Sequence, residues 1–206
     1  MDTFEEVVNI RRSAGNFLED NPISQKELNE IFDLVKMAPS AFNLQHTNYV
    51  VVTDPDIKML VKKAAYNQYK VGTASAVIIV LGDKKAYKAA ARIYEGLLNL
   101  GILSQQEYDH EVEDVVSLYE NRGDEFQKEE AIRNASLSAM LFMLAAKNKG
   151  WDTCPMIGYD SDQLKKILSI SDEMEPALMI TIGKEKISSR KPRGYRKPVA
   201  EFVTYI

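Results

Sequence analysis

One segment limits the folds open to this chain more than any other: a predicted helix at residues 129–149 that ends before Gly150. Its middle is apolar on almost every side, with small Ala and Ser residues between the larger ones. A helix of that kind cannot lie on a surface, because it would expose apolar side chains to water. The sequence therefore predicts that this helix is buried, either in a large core or in a subunit interface.

Charge is concentrated in the segment just before that helix. Residues 105–130 contain ten acidic and two basic residues, a net charge of −8 in a chain whose formal net charge is −4. We interpret the segment as a solvated helical insertion. The remaining residues carry +4, which suits a phosphorylated ligand, while the overall charge gives no reason to expect a nucleic-acid partner.

Capping motifs and apolar runs predict a single α+β domain over residues 1–206, with the acidic helical insertion at about 105–130. Two capping boxes, Thr3-x-x-Glu6 and Ser24-x-x-Glu27, begin the first two helices. Regular alternation of strands and helices is absent, which argues against a doubly wound parallel sheet. The predicted strands are residues 49–53, 76–81 and 177–182, with residues 199–206 as a candidate last strand.

The sequence argues against a membrane-spanning, a secreted and a metal-binding protein. The longest helical apolar run, at residues 139–146, is too short to span a membrane. The N-terminus carries Asp2, Glu5 and Glu6 where a signal peptide would be cationic, so we expect a cytoplasmic protein without a membrane partner. Two isolated histidines and one cysteine argue against a metal site. We interpret His46 either as a surface or loop histidine or as a substrate contact.

Three polar clusters remain as candidates for chemistry. Arg11-Arg12-Ser13 follows the first helix and offers two guanidinium groups and a hydroxyl to a phosphate. Residues 38–45 form a loop rich in amide and hydroxyl groups, and residues 150–158 are predicted to be a loop with exposed backbone N–H groups. Each cluster alone is also typical of a helix end or a turn.

Taken in this order, the clusters resemble the nitroreductase family of FMN-dependent oxidoreductases over almost the whole chain. The resemblance rests on Arg11-Arg12-Ser13, Pro39-Ser40-x-x-Asn43, the Asn67-to-Lys70 spacing, the 154–158 segment and the Arg196-Lys-Pro ending. It implies an α+β fold with a central mixed, mainly antiparallel sheet flanked by helices. It also implies a C-terminal tail that is swapped between two subunits.

The resemblance implies roles for individual residues. Arg11, Ser13 and Arg196 would hold the phosphate and ribityl chain of FMN, with Arg12 as a helper. Asn67 and Lys70 would lie at the pyrimidine edge of the flavin, where Lys70 is an electrostatic stabiliser. The other residues that the resemblance places near FMN are Pro39, Ser40, Ala41 and Asn43 from the partner subunit, and Pro155, Met156, Ile157 and Gly158.

The implied function is two-electron transfer from NADH or NADPH to FMN, and then to a nitroaromatic, quinone or similar small-molecule acceptor. The flavin carries this chemistry, the kinetics would be ping-pong, and the enzyme would be a homodimer with shared active sites. Gly15 and Gly194 stand where many relatives have a basic residue, and Arg193 is a candidate replacement. The alternative is a flavin-binding protein for storage, sensing or partner binding without turnover.

Overall fold

The computed structural model describes residues 3–206, so Met1 and Asp2, the latter used in the N-terminal charge argument, lie outside the described residues. The described chain folds into seven α-helices and four β-strands. The helices are α1 (Phe4–Ile10), α2 (Gln25–Val35), α3 (Pro55–Ala64), α4 (Tyr69–Thr73), α5 (Ala90–Asn99), α6 (Gln105–Asn148) and α7 (Ser161–Leu168). The strands are β1 (Thr47–Val52), β2 (Ala76–Asp83), β3 (Asp152–Met156) and β4 (Met174–Gly183).

The four strands form one antiparallel sheet in the order β1-β2-β4-β3. Strand β2 is central and buried along almost its whole length, so its side chains reach two cores. Ile78 and Val80 pack with α2 and α6 on one face, while Val77 and Ile79 pack with α3 and α7 on the other. The predicted helix-flanked sheet is confirmed, and its mixed character is limited to one parallel bridge between Ser13 and Thr153.

Helix α6 joins the two segments that the sequence analysis treated separately. The acidic segment is its first part and the apolar segment its second, with a kink at Gly123 where φ is 76° and ψ is −176°. Its first part packs against α5, and its second part crosses the sheet. A Cβ atom on Gly82 of β2 would collide with the backbone of Ala131, so helix and strand meet backbone to backbone.

The second part of α6 is buried on the side that faces the sheet and α2, where Ala135, Phe142 and Ala146 have almost no exposed surface. This confirms the predicted burial for most of the helix. Leu137 and Met140 are nevertheless 49% and 43% exposed in the single chain. Within residues 3–206, no helix has both the length and the apolar character needed to cross a membrane.

Local signals in the sequence set the helix starts. Both predicted capping boxes are confirmed, with Thr3 and Ser24 each accepting from the backbone N–H three residues on. Asp54 and Asp160 cap α3 and α7 in the same way.

Two predicted segments differ from the structure. The predicted loop at residues 150–158 contains β3, an edge strand, where Pro155 is tolerated because an edge strand leaves every second N–H without a partner strand. The candidate strand at residues 199–206 is wrong for the single chain, which has a 3-10 turn at Val199–Glu201. A strand needs a neighbour to pair with, and this tail has none within the described chain.

Candidate functional site

A cavity of about 480 Å³ opens between the end of α1, α4, β3 and the C-terminal tail. It is called the cationic cavity below, because its lining contains six basic side chains and, among the described residues, no carboxylate. The six are Arg11, Arg12, Lys70, Lys191, Arg193 and Arg196, and Ser13 and Cys154 add a hydroxyl and a thiol. The structure thus brings together Arg11, Arg12, Ser13, Lys70 and Arg196, as the resemblance implies.

Hydrogen bonds from the backbone hold the two walls of the cavity opposite each other. After α1 the chain runs against β3, where the Ala14 N–H donates to the Thr153 carbonyl at 3.0 Å. The tail returns over the same segment, and the Asn16 N–H donates to the Ser189 hydroxyl at 3.1 Å. The basic side chains of both walls therefore point into one space.

Arg193 has a structural role in this arrangement. Its Nη2 donates to the carbonyls of Asn9 and Arg11, which lie at the negative C-terminal end of α1. The guanidinium therefore ties the tail to α1. At Gly15 a Cβ atom would lie 2.7 Å from the Ser189 carbonyl oxygen, so the tail leaves no room for a larger side chain there.

Among the described residues that line the cavity, no carboxylate neutralises its positive charges. The pKa of Arg11 is lowered from its usual value because burial desolvates the guanidinium, and because Arg193 and Arg196 repel it. A bound dianion would relieve this repulsion and make charge-assisted hydrogen bonds. Among residues 3–206, no three His, Cys, Asp or Glu side chains cluster as they would around a metal ion.

Lys70 lies at the floor of the cavity. Its Nζ is 3.4 Å from Cys154 Sγ, and the cysteine is buried on β3. The sequence suggested no particular partner for Cys154, and the thiol is a hydrogen-bond acceptor for this lysine. Asn67, just before α4, is exposed and does not line the cavity in the single chain.

Gln68 joins two predicted site segments and was missed by the sequence analysis. Its Nε2 donates to the Gly158 carbonyl at 2.8 Å and so holds the end of the 154–158 segment against α4. In that segment Ile157 is 84% exposed, whereas the Met156 side chain is buried in the core. Its position between Asn67 and Lys70 was the only sequence signal that Gln68 belongs to the site.

The loop at residues 39–45 lies away from the cationic cavity. Pro39 and Ser40 line a second cavity of about 260 Å³, next to Tyr49. The Ala41 N–H donates to Asn134 Oδ1 of α6 at 2.8 Å. Positive φ angles of 52–53° at Phe42, Asn43 and Gln45 follow, an uncommon conformation for residues other than glycine. In the single chain, therefore, Pro39, Ser40, Ala41 and Asn43 belong to a loop that does not line the cavity of Arg11 and Lys70.

His46 lies in the loop just before β1, as one interpretation held, but its side chain is buried, so it is not a surface histidine. Its contact with a substrate stays a prediction. Its Nε2 is 3.2 Å from the Tyr119 hydroxyl of α6. Burial lowers the pKa of His46 to about 4, because the charged imidazolium would lose its hydration. A single histidine between polar residues carries no sequence signal of such burial.

Comparison with known proteins adds independent findings. The sequence profile described as the Nitroreductase family matches residues 8–184. The protein named "Putative NAD(P)H nitroreductase MhqN" from Bacillus subtilis strain 168 is 65% identical over 206 residues, which is the full length of both chains. The crystal structure of a "putative nitroreductase ydfN" from Bacillus subtilis has a TM-score of 0.96 at 64% identity, covering 98% of each chain. A "putative nitroreductase in complex with FMN" from Exiguobacterium sibiricum has a TM-score of 0.90 at 30% identity, covering 100% of this chain and 98% of the other.

Proposed function

Because the chain belongs to the nitroreductase family of oxidoreductases, we propose that it transfers two electrons from NADH or NADPH, by way of FMN, to a second small molecule. The proposed acceptor is a nitroaromatic compound, a quinone or a similar molecule. The proposed kinetics are ping-pong, because donor and acceptor would use the same face of the flavin in turn.

The observation that carries this proposal is the composition of the cationic cavity. FMN ends in a phosphate dianion, and the cavity offers six basic groups, a Ser13 hydroxyl and no opposing carboxylate among its described residues. Its volume of about 480 Å³ lies within the range of cofactor sites, roughly 300–1,000 Å³. The donor set therefore fits a phosphorylated ligand, and a structure similar to this one contains FMN.

When bound, FMN supplies the two-electron chemistry, and the side chains supply binding and charge. Arg11, Arg196 and Ser13 would hold the phosphate and ribityl chain. The Lys70 ammonium would stabilise the negative charge that reduction places at the pyrimidine edge. The backbone of Pro155 to Gly158 would complete the contacts to the ring, held in place by Gln68.

Anaerobic stopped-flow mixing tests the function. The freshly purified protein should show visible flavin bands, lose them on mixing with NADPH or NADH, and regain them on addition of a nitroaromatic or a quinone. A protein that neither contains nor binds FMN would contradict the cofactor. An FMN-loaded protein that neither nicotinamide reduces would contradict the enzyme and favour the flavin-binding alternative.

We also propose that the enzyme is a homodimer whose loop at residues 39–43 contacts the flavin of the partner subunit. Three features support this arrangement: the loop lies away from the cavity of its own chain, Leu137 and Met140 of α6 are exposed, and the tail exposes Val199 and Phe202. In such a dimer the tail after Pro198 would be swapped onto the other subunit. Residues 105–130 would remain an insertion within a single domain.

Truncation after Pro198 tests the shared site. If the tail holds two subunits together, its loss should lower both dimer content and FMN occupancy, measured by sedimentation velocity and by the flavin absorbance of the same sample. A truncated protein that sediments as a monomer and keeps full FMN would overturn the proposal. We further propose that the enzyme works in the cytoplasm, where its unpaired Cys154 would remain reduced.

A further inference from the structure

The hydrogen bond between Lys70 and Cys154 lies inside the cationic cavity, and the proposed function leaves Cys154 without a role. The Lys70 ammonium donates to Cys154 Sγ at 3.4 Å, and this sulfur is its one hydrogen-bond partner among residues 3–206. Cys154 Sγ also lies 3.7 Å from the Pro155 carbonyl, to which the thiol donates. The thiol proton is thus directed along β3, and the sulfur lone pairs remain for the ammonium.

Lys70 needs such a partner because its surroundings repel it. Five other basic side chains line the same cavity, and a lysine has a flexible four-carbon chain that can turn towards solvent. Lys70 starts from α4, a helix of only five residues, which fixes its backbone but not its ammonium. Because Cys154 is buried on β3, its sulfur has a fixed position and can hold the ammonium there.

The chemical type of the partner also matters. A carboxylate in the place of Cys154 would hold the ammonium more strongly but would neutralise its charge. A thiol is a much weaker acceptor than a carboxylate, so it orients the ammonium and leaves the positive charge available to a ligand. The strand keeps the sulfur in place, because Cys154 pairs with Thr181 of β4, whose hydroxyl donates to the Cys154 carbonyl at 3.3 Å.

We propose that Cys154 is a positioning residue that holds the Lys70 ammonium in the cavity and thereby helps to set the reduction potential of the bound flavin. This inference rests on the proposed function, since it requires FMN in the cavity. Cys154 itself acts only through Lys70. Its effect must therefore vanish when Lys70 is absent, which a purely structural role would not predict.

A double-mutant cycle on the FMN-loaded protein tests this dependence. The midpoint potential is measured for wild type, Lys70→Met, Cys154→Ala and the double variant against a reference dye. Lys70→Met should lower the equilibrium constant for reduction about tenfold, which is about 30 mV for a two-electron couple. Cys154→Ala should lower it about threefold with Lys70 present and leave it unchanged with Met at position 70.

Two further variants separate positioning from packing. Cys154→Ser restores a neutral acceptor and should recover most of the wild-type potential. Thr153→Val is the matched control, because it changes the neighbouring buried residue on β3, whose hydroxyl has no partner in the structure, and it should leave the potential unchanged. The proposal would be overturned if Cys154→Ala kept the wild-type potential. It would also be overturned if Cys154→Ala lowered the potential by the same amount with Met at position 70 as with Lys70.

Crystal structures of the FMN-free wild type and Cys154→Ala provide a readout without the cofactor. The Lys70 ammonium should stay at the sulfur in the wild type and leave the cavity floor in the variant. An unmoved ammonium in the variant would overturn the positioning role even if FMN is absent. Failure to bind FMN, by contrast, would overturn the proposed function and leave this structural test intact.

Discussion

The cationic cavity and the 39–45 loop carry most of the proposed cofactor contacts, yet they are stabilised in opposite ways. In the cavity, Arg196 donates only to the nearby carbonyls of Gly194 and Tyr195 within the described chain, and no carboxylate there opposes the six cations. In the loop, the backbone is fixed by Asn134 and by the Ser40 hydroxyl, which accepts from the Gln45 N–H at 2.9 Å. The cavity keeps its charges for a ligand, whereas the loop is already organised by the protein.

Helix α6 organises the loop through one buried residue. Asn134 is 3% exposed, accepts from Ala41 and donates to the Glu130 carbonyl and side chain. Glu130 in turn forms an ion pair with Arg133. Backbone strain of the kind seen at Phe42 persists only where the surroundings enforce it. This comparison predicts that changes in the cavity affect ligand affinity, while changes around the loop affect stability first.

Acidification should affect the loop region most strongly. His46 has a pKa of about 4 in the folded chain and 6.5 as its ordinary value, so its stabilising contribution is complete above pH 6.5 and is lost as the pH falls towards 4. The loss should reach about 3 kcal/mol at pH 4. Urea unfolding of wild type and His46→Asn between pH 7.5 and 4 measures it. Parallel pH profiles for the two proteins would contradict the burial of a neutral His46.

Removal of a cavity cation should act on affinity alone. Arg196→Ala deletes a charge-assisted contact worth about 1.5–3 kcal/mol, so the affinity for FMN should fall roughly ten- to a hundredfold. Because Arg196 is exposed, the free energy of unfolding of the FMN-free protein should not change. Isothermal titration of FMN measures the affinity, with Lys197→Ala as the control outside the cavity. Equal losses in both variants would indicate a general charge effect.

Removal of the loop's anchor should have the reverse pattern. Asn134→Ala leaves the Ala41 N–H without its acceptor, and the free energy of unfolding should fall by about 1.5 kcal/mol. Ser136→Ala, at an exposed position of the same helix, is the matched control. Chemical denaturation gives the comparison, and FMN titration should show a smaller effect than in Arg196→Ala. Unchanged stability would mean that the loop does not depend on α6.

A pair of glycine substitutions gives the smallest expected effect. At Gly15 an alanine Cβ would meet the Ser189 carbonyl and displace the tail, so the affinity for FMN should fall about threefold. At Gly96 of α5 an added Cβ atom would meet no described atom within 4 Å outside its own helical backbone and chain neighbours, so alanine there should stabilise the helix by about 0.5–1 kcal/mol without changing the affinity. Equal FMN affinities for the two variants would show that the tail is not part of the cavity wall.

The sequence predicted best what depends on neighbouring residues. The capping boxes of α1 and α2 were correct because each uses residues three positions apart. The buried strand at residues 76–81 was correct because its apolar run is unbroken, and it extends only to Asp83 in the structure. Strand β3 was missed because Asp152 and Pro155 have low strand propensity, and its pairing with β4 decides the outcome.

The site residues divide in the same way: those in local sequence motifs were predicted, and those defined by long-range contacts were not. Arg11-Arg12-Ser13 could be found because three adjacent residues carry the motif, and Arg196 because it stands two residues before Pro198. The contacts of Gln68 with Gly158 and of Asn134 with Ala41 join residues 90 and 93 positions apart. Neither residue has a local pattern that distinguishes it from an ordinary surface amide.

The backbone contact between Gly82 and Ala131 has a consequence for how this chain can vary during evolution. Because no side chain separates the two elements, the sheet fixes the register of α6 at that point. Eight residues earlier, the kink at Gly123 interrupts the helix, and Gln127 Nε2 donates to the Tyr119 carbonyl beside the kink. A lineage can therefore change the exposed charges of the segment before the kink while Asn134 keeps its position under the loop.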